Sequence, residues 1–165
     1  MSELVLMFWG SAVLVLDLRH RRLPNALTLG GLAVGLAMLL FTGTSALGQP
    51  PGVVWAGAGL ALLLTLPAYA FGLLGAGDVK LAAAIALLSG LFHFLVVYSL
   101  AAFLALGMLL AARHAAFVPL RKLLTVYGSE PGEAAAARVR SVPFGAALGG
   151  GLVLMLLARL AGVPV

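Results

Sequence analysis

The chain has 165 residues, of which 63% are apolar and only 9% carry a charge. Soluble domains average about 25% charged residues, so this composition, with a mean hydropathy of +1.16, indicates an integral membrane protein rather than an ordinary soluble domain. The lack of cysteine excludes disulfide frameworks, thiol nucleophiles and cysteine-ligated metal sites. The net charge of +5 favours anionic lipid over nucleic acid as a partner, and we expect one domain over residues 1–165.

The order of apolar stretches predicts an all-α protein, a bundle of six transmembrane helices. A bilayer core about 30 Å thick needs about 20 apolar residues for each crossing. Glu3 precedes the first stretch and no small-residue cleavage site follows it, so we expect a retained helix rather than a signal peptide. The predicted spans are Leu4–Leu16, Ala26–Phe41, Val53–Leu74 with a bend at Pro67, two helices within Leu81–Ala112, and Val142–Leu160.

The long uncharged stretch from Leu81 to Ala112 needs a break. As a single helix it would be about 48 Å long, far beyond the bilayer core, so we predict two helices separated around Ser89-Gly90. This break decides the topology, because segments 17–25, 75–80 and 113–141 then share one side of the membrane. That side holds nine of the ten basic residues, and only Arg159 lies opposite. The nine are Arg19, Arg21, Arg22, Lys80, Arg113, Arg121, Lys122, Arg138 and Arg140. The positive-inside rule makes the side cytoplasmic, with both termini outside and a cytoplasmic loop at about 113–141.

Small residues spaced four apart occur in three of the predicted spans. Such pairs allow two helices to approach closely, so we assign them first to packing. The pairs are Gly31 with Gly35, Gly57 with Ala61, and Gly145 with Gly149.

Two acidic residues stand at the ends of apolar helices on the predicted cytoplasmic side. Asp17 closes the first span and Asp78 opens the fourth, whereas the other three acids lie in a terminus or a loop. An acid near hydrocarbon is costly and usually has a polar partner, a water-filled cavity or a function. Asp17 could simply form salt bridges with Arg19, Arg21 or Arg22, and Asp78 could simply cap a helix.

A functional reading takes the two acids together. Two carboxyls within hydrogen-bond distance cannot both ionise easily and share a proton. The charged member can then take a proton from water while the protonated member polarises a scissile carbonyl. Gly75 and Gly77, just before Asp78, would let a backbone approach without obstruction. Hydrolysis of this kind needs no metal and no cofactor, and we expect neither.

The residues around both acids resemble those of a known family. Asp17 followed by Leu23-Pro24-Asn25, and then Gly75-Ala76-Gly77-Asp78-Val79-Lys80-Leu81, resemble the paired motifs of the type IV prepilin peptidases, the bacterial branch of the GxGD intramembrane aspartyl proteases. The stretch Ser141-Val142-Pro143-Phe144-Gly145 is similar to the start of that family's last span. The resemblance covers nearly the whole chain.

The resemblance implies a multi-pass enzyme of the bacterial inner membrane that removes the short basic leader of prepilins or pseudopilins after a glycine. It implies Asp17 and Asp78 as the catalytic pair and Gly75 and Gly77 as the active-site turn. Lys80 matches the motif lysine, and its role stays open. It could fix the loop, bind an acidic group of the substrate, or extend its ammonium group to the membrane surface. The further motif residues are Pro24, Asn25, Pro143 and Gly145.

One departure from the longer members of that family concerns methylation of the new N-terminus. Those members carry an added cytoplasmic region with paired cysteines, whereas this chain has no cysteine and a short connection at 17–25 between its first two spans. We therefore predict a peptidase without methyltransferase activity, similar to the relatives that serve tight-adherence (Flp-type) pili.

The expected partners are a prepilin or pseudopilin and anionic lipid headgroups, with no nucleic acid. Because the cytoplasmic face and prepilin leaders are both basic, we expect recognition through the substrate's apolar helix, with the 113–141 loop covering the cleavage point. Two alternatives remain. A proton- or ion-coupled transporter needs polar groups near mid-bilayer, where the spans offer little beyond Thr65 and Ser99. A scaffold of a pilus or secretion system would need neither aspartate.

Overall fold

A computed structural model describes residues 2–20, 23–113 and 143–163. Within these ranges the chain is helical and has no strand, which confirms the all-α class. The helices are α1 (Ser2–His20), α2 (Asn25–Thr42), α3 (Pro51–Ala70), α4 (Ala76–Ser89), α5 (Leu91–Arg113) and α6 (Phe144–Leu160). Each falls on a predicted span. The predicted loop after Arg113, with Arg121, Lys122, Arg138, Arg140 and Ser141, lies outside the described residues, as do Arg21, Arg22 and Val142.

Three of the described helices are long and apolar enough to cross a membrane. They are α2, α3 and the Leu91–Leu110 part of α5, while α6 is apolar but shorter. Together they make this a membrane protein by length and composition. The crossing of all six helices stays a prediction.

Glycines and prolines set several of the helix boundaries. α2 ends where Gly43 takes a left-handed φ of 69° and its N–H bonds to the Leu39 carbonyl. α3 begins at Pro51, a favourable first position, and ends at Ala70 rather than at the predicted Leu74. Gly72, with φ of 71°, turns the chain just after α3 and explains the shorter helix. Pro67 lies inside α3, and the bend predicted there stays a prediction.

The predicted break between α4 and α5 is confirmed at Gly90. Gly90 has φ of 83° and ψ of 175°, a backbone conformation that residues other than glycine rarely adopt. A Cβ at this position would also lie 2.8 Å from Cγ of Gln49 in the α2–α3 connection. The glycine therefore ends α4, starts α5 and packs against the neighbouring loop.

We expect Gly90→Ala to lower the free energy of unfolding by about 1–3 kcal/mol, from the strained backbone and the contact with Gln49. Denaturant unfolding in detergent, followed by circular dichroism, measures the change. Gly59→Ala is the matched control, because a Cβ on Gly59 in α3 would meet nothing within 4 Å. Equal stability of the two variants would contradict the prediction.

Helix α4 forms the centre of the bundle. Every residue from Leu81 to Ser89 is buried, and many are alanines, so neighbouring helices can approach the α4 backbone closely. α4 packs against α2, α3, α5 and α6, whereas α1 packs along α6. The short helix that carries Asp78 in its first turn is thus surrounded by neighbouring helices.

The predicted small-residue packing is confirmed at four glycines. Cβ atoms added at Gly31, Gly35, Gly57 and Gly149 would all come within 3.0 Å of a neighbouring helix or its start. At Gly149 the neighbours are backbone atoms of α1, the Gly10 carbonyl oxygen at 2.8 Å and the Leu14 nitrogen at 2.9 Å. Gly145, the partner of Gly149 in the predicted pair, instead faces the two carboxyl groups described below.

A polar cluster ties helix ends together at one end of the bundle. Arg159 Nε in α6 donates to Glu3 Oε1 in α1 at 2.7 Å, and its Nη1 lies 2.7 Å from Nε2 of His93 in α5. Nδ1 of His93 lies 3.1 Å from the carbonyl oxygen of Ser89, at the end of α4. The start of α1 therefore meets the end of α6, so these two helices run antiparallel. The end of α1 and the start of α6 meet at the opposite end of the bundle.

Candidate active site

Asp17 lies in the last turns of α1 and is buried, with 6% of its surface exposed. Its Oδ2 accepts a hydrogen bond of 2.6 Å from the backbone N–H of Ala146, in the first turn of α6. The first backbone N–H groups of a helix have no partner within the helix, and the positive end of the helix dipole lies there. The start of α6 therefore provides Asp17 with a donor that stabilises a carboxylate.

Asp78 lies in the first turn of α4. Its Oδ2 accepts a hydrogen bond of 3.0 Å from the N–H of Gly75, the residue that precedes the helix. This is the side-chain half of a capping box, so the expected capping role of Asp78 is present. The backbone N–H of Gly145 is also directed at the Asp78 carboxyl. Asp78 therefore caps the start of α4 and at the same time lies close to the start of α6.

Gly145 lies between the two carboxyl groups. A Cβ built on it would be 3.0 Å from Oδ2 of Asp17 and 3.0 Å from Oδ1 of Asp78. Because both oxygens are that close to one point, they can be separated by no more than twice this distance. Carboxyls within this distance are close enough to interact electrostatically and to bind one water molecule between them. The two predicted acids thus meet, and a glycine fills the narrow space beside them.

A cleft of about 340 Å³ opens beside the two acids. Its lining residues come from three parts of the chain, the end of α1, the start of α2 and the start of α4. They are Asp17, Leu23, Asn25, Gly75, Ala76, Gly77, Asp78 and Lys80. A Cβ on Gly77 would meet Cβ of Leu23 at 3.6 Å, an ordinary contact, so this side of the cleft is narrow without being closed. The cleft therefore gives open space beside both carboxyls.

Lys80 and Asn25 connect two of the motifs. Lys80 Nζ donates to Asn25 Oδ1 at 3.2 Å, which joins the first turns of α4 and α2 at the edge of the cleft. The bond lies on exposed side chains, so its contribution to stability is modest. The sequence leaves three roles open for Lys80, and this hydrogen bond favours the one in which Lys80 fixes the active-site loop.

A double-mutant cycle with Lys80→Met, Asn25→Ala and the combined variant measures this bond. We expect a coupling free energy of about 0.5–1.5 kcal/mol in unfolding, because each single change removes the same bond. Fully additive effects would contradict a direct interaction between the two side chains.

The other predicted motif residues have structural positions. Pro24 precedes α2, and its carbonyl oxygen accepts from the N–H of Leu27 at 3.0 Å. Pro143 precedes α6, and its carbonyl oxygen accepts from the N–H of Ala147 at 3.2 Å.

The sequence interpretation missed Leu23 and Ala146 as site residues. Leu23 belongs to the first motif, Asp17 followed by Leu23-Pro24-Asn25, and this position could have identified it. Ala146 contributes only its backbone N–H, for which the side chain gives no signal.

No group of three or more histidine, aspartate or glutamate residues is arranged for metal binding within the part of the chain that the structure describes. In a comparison with known families, the model of the type IV leader peptidase family matches residues 4–110 of the chain. The matched region runs from α1 into α5 and contains Asp17, Asp78 and the glycine turn, while Gly145 lies beyond it. Neither a curated protein nor a solved structure matches the chain.

Proposed function

This chain belongs to the type IV leader peptidase family, and from that membership we propose that it is an aspartyl endopeptidase that removes the leader of prepilins or pseudopilins. The observation that carries the aspartyl mechanism is the meeting of Asp17 and Asp78 at Gly145. Two acids from distant parts of the sequence line one open cleft, beside the turn formed by Gly75 and Gly77.

The proposed reaction uses one carboxylate and one carboxylic acid. The carboxylate takes a proton from a water molecule, whose oxygen attacks the scissile carbonyl carbon. The carboxylic acid donates a hydrogen bond and then its proton to the carbonyl oxygen, which gives a neutral tetrahedral diol. As the diol collapses, one of its hydroxyl groups returns a proton to the carboxylate formed in the previous step, and the C–N bond breaks. The amine leaves with the proton taken earlier from water, and the other product is a carboxylic acid. The proton belongs to the pair, so no single assignment of acid and base is made.

Backbone N–H groups bond to both acids, so the closeness of the two carboxyls, rather than the backbone, divides their roles. The Ala146 N–H bonded to Asp17 favours its charged form, as does the Gly75 N–H bonded to Asp78. Because two charges cannot comfortably coexist at this separation, one carboxyl holds the shared proton. The turn residues Gly75 and Gly77 lack side chains, so a substrate backbone can approach Asp78 from the cleft.

We propose that the end of the bundle carrying the carboxyls faces the cytoplasm of a bacterium, with both termini outside the inner membrane. Arg19 and Lys80 lie at this end, and Arg159 lies at the other, in the arrangement that the positive-inside rule favours. Anionic lipid headgroups are the proposed partners of the basic residues there. The covering role of the 113–141 loop falls almost wholly outside the described residues and stays a prediction.

The test is reconstitution of the purified protein with a full-length prepilin of the Flp type in liposomes. We expect mass spectrometry to show two fragments whose masses add to the substrate plus one water, with cleavage after a glycine. In the presence of S-adenosylmethionine, the new N-terminus should gain no methyl group. An intact substrate after prolonged incubation with folded protein would reject the peptidase, and leave the transporter and scaffold alternatives. A methylated product would reject only the statement on methylation.

A further inference from the structure

An apolar groove of about 230 Å³ runs between α1 and α2. Val5 and Trp9 of α1 form one wall, Ala26, Gly30 and Val34 of α2 form the other, and Leu88 of α4 closes the floor. The three α2 residues are spaced four apart and so lie on one face of that helix. The lining contains no charged residue, so the groove is suited to an apolar occupant.

The groove exists because α1 and α2 pack against other helices. α1 lies along α6 and α2 lies along α4, and among the described helices α1 and α2 are not a closely packed pair. Trp9 extends from α1 to α2, where its Nε1–H donates to the Leu27 carbonyl oxygen at 3.3 Å and its ring lies over Gly31. With its one polar atom bonded in this way, the indole presents carbon atoms to the groove.

The groove leads into the candidate active site. Ala26 and Leu27 line the groove, and Asn25, the residue before them, lines the catalytic cleft together with Leu23. A chain that occupied the groove as a helix and continued past the start of α2 would therefore enter the cleft beside Asp17 and Asp78. Val5 and Val34 are exposed, so the groove is open on the side that faces lipid.

We propose that this groove, which we call the α1–α2 groove, binds the apolar helix that follows the cleaved bond in the substrate. The proposal rests on the proposed function, and adds to it the surface that recognises the substrate. Its support is the continuity with the cleft together with an uncharged lining that a basic leader would not occupy. A groove of this volume accepts the side chains of one face of a helix, and Gly30 leaves space for close approach.

The first test fills the groove by Gly30→Leu. A Cβ on Gly30 would meet nothing within 4 Å, so the leucine can be accommodated while it occupies the space of the substrate helix. Gly59→Leu is the matched control, because it makes the same change on an equally open helix surface of α3. We expect Gly30→Leu to raise KM for a full-length prepilin by about tenfold, with kcat unchanged. Gly59→Leu should leave both constants unchanged.

The second test is photo-crosslinking from p-benzoylphenylalanine at Val34, with Leu63 of α3 as the control position. Both side chains are exposed, at 54% and 68%. We expect Val34→p-benzoylphenylalanine to capture the apolar helix of an added prepilin, and the Leu63 variant to capture only lipid. Capture of lipid alone or of a second copy at position 34, or an unchanged KM in Gly30→Leu, would overturn the proposal. If the wild-type protein did not cleave the prepilin at all, the proposed function would be rejected instead.

Discussion

Leader cleavage should fall by about 10³-fold when either Asp17 or Asp78 is changed to asparagine, since each acid carries a proton-transfer step that an amide cannot perform. Asparagine is nearly isosteric with aspartate and retains an acceptor oxygen. The Ala146 N–H can still donate to residue 17, and the Gly75 N–H can still donate to residue 78. Both variants should therefore fold and accumulate in the membrane. Single-turnover cleavage of a reconstituted prepilin measures the loss.

Glu3→Gln is the control for this pair of variants. It makes the same carboxyl-to-amide change at the other end of α1, where Glu3 bonds to Arg159. We expect its cleavage rate to stay near that of the wild-type protein, so that loss of an acid alone does not explain the result. Full cleavage by either aspartate variant would end the dyad mechanism and return the scaffold and transporter alternatives to consideration.

Gly145→Ala should lower kcat/KM by about tenfold, because the carboxyls must shift by a few tenths of an ångström and a displacement of about 1 Å at a catalytic group can cost about 10²-fold. The new methyl group would lie 3.0 Å from a carboxyl oxygen of each aspartate and 2.8 Å from Cδ1 of Leu23. The leucine side chain can rotate away, whereas each carboxyl group is held through its Oδ2 by a backbone N–H, from Ala146 for Asp17 and from Gly75 for Asp78. The methyl group must therefore displace at least one carboxyl from its present position.

Gly150→Ala provides a control on the same helix, since its Cβ would meet only leucine methyl groups, at 3.4 and 3.7 Å. We expect this variant to cleave at the wild-type rate. The combined change Gly145→Ala and Leu23→Ala removes the contact with leucine but leaves the contacts with both carboxyls. Its turnover should stay as low as that of Gly145→Ala, because the contacts that displace the carboxyls are still present. Wild-type activity in Gly145→Ala would show that the carboxyls need not occupy these positions.

The sequence was sufficient to predict most of the helices and the two acids. Apolar length and charge are local properties, so α2, the break at Gly90 and the position of Asp78 at a helix start could all be read directly. The helix ends were less predictable. The predicted third span ran to Leu74 because its residues are apolar, whereas Gly72 turns the backbone soon after Ala70.

The tertiary relations within the site could not be read from the sequence. Gly145 was assigned to packing by its spacing to Gly149 and was also named as a motif residue, but neither assignment placed it between the two carboxyls. Nothing in a glycine's identity separates these two environments, because both require only the missing side chain. Ala146 acts through its backbone, which every residue except proline shares. The groove between α1 and α2 arises from the choice of packing partners, a property of the assembled bundle.

The contact between the start of α6 and the end of α1 has a consequence for how the protein loses activity on heating. Gly149, one turn after Gly145 in α6, packs on the backbone of α1 at Gly10 and Leu14, and Leu14 lies less than one turn before Asp17. The same short contact thus joins the two helices and holds Asp17 at the start of α6. Thermal inactivation should then follow a single transition that coincides with unfolding, with no cooler phase in which a folded protein is inactive.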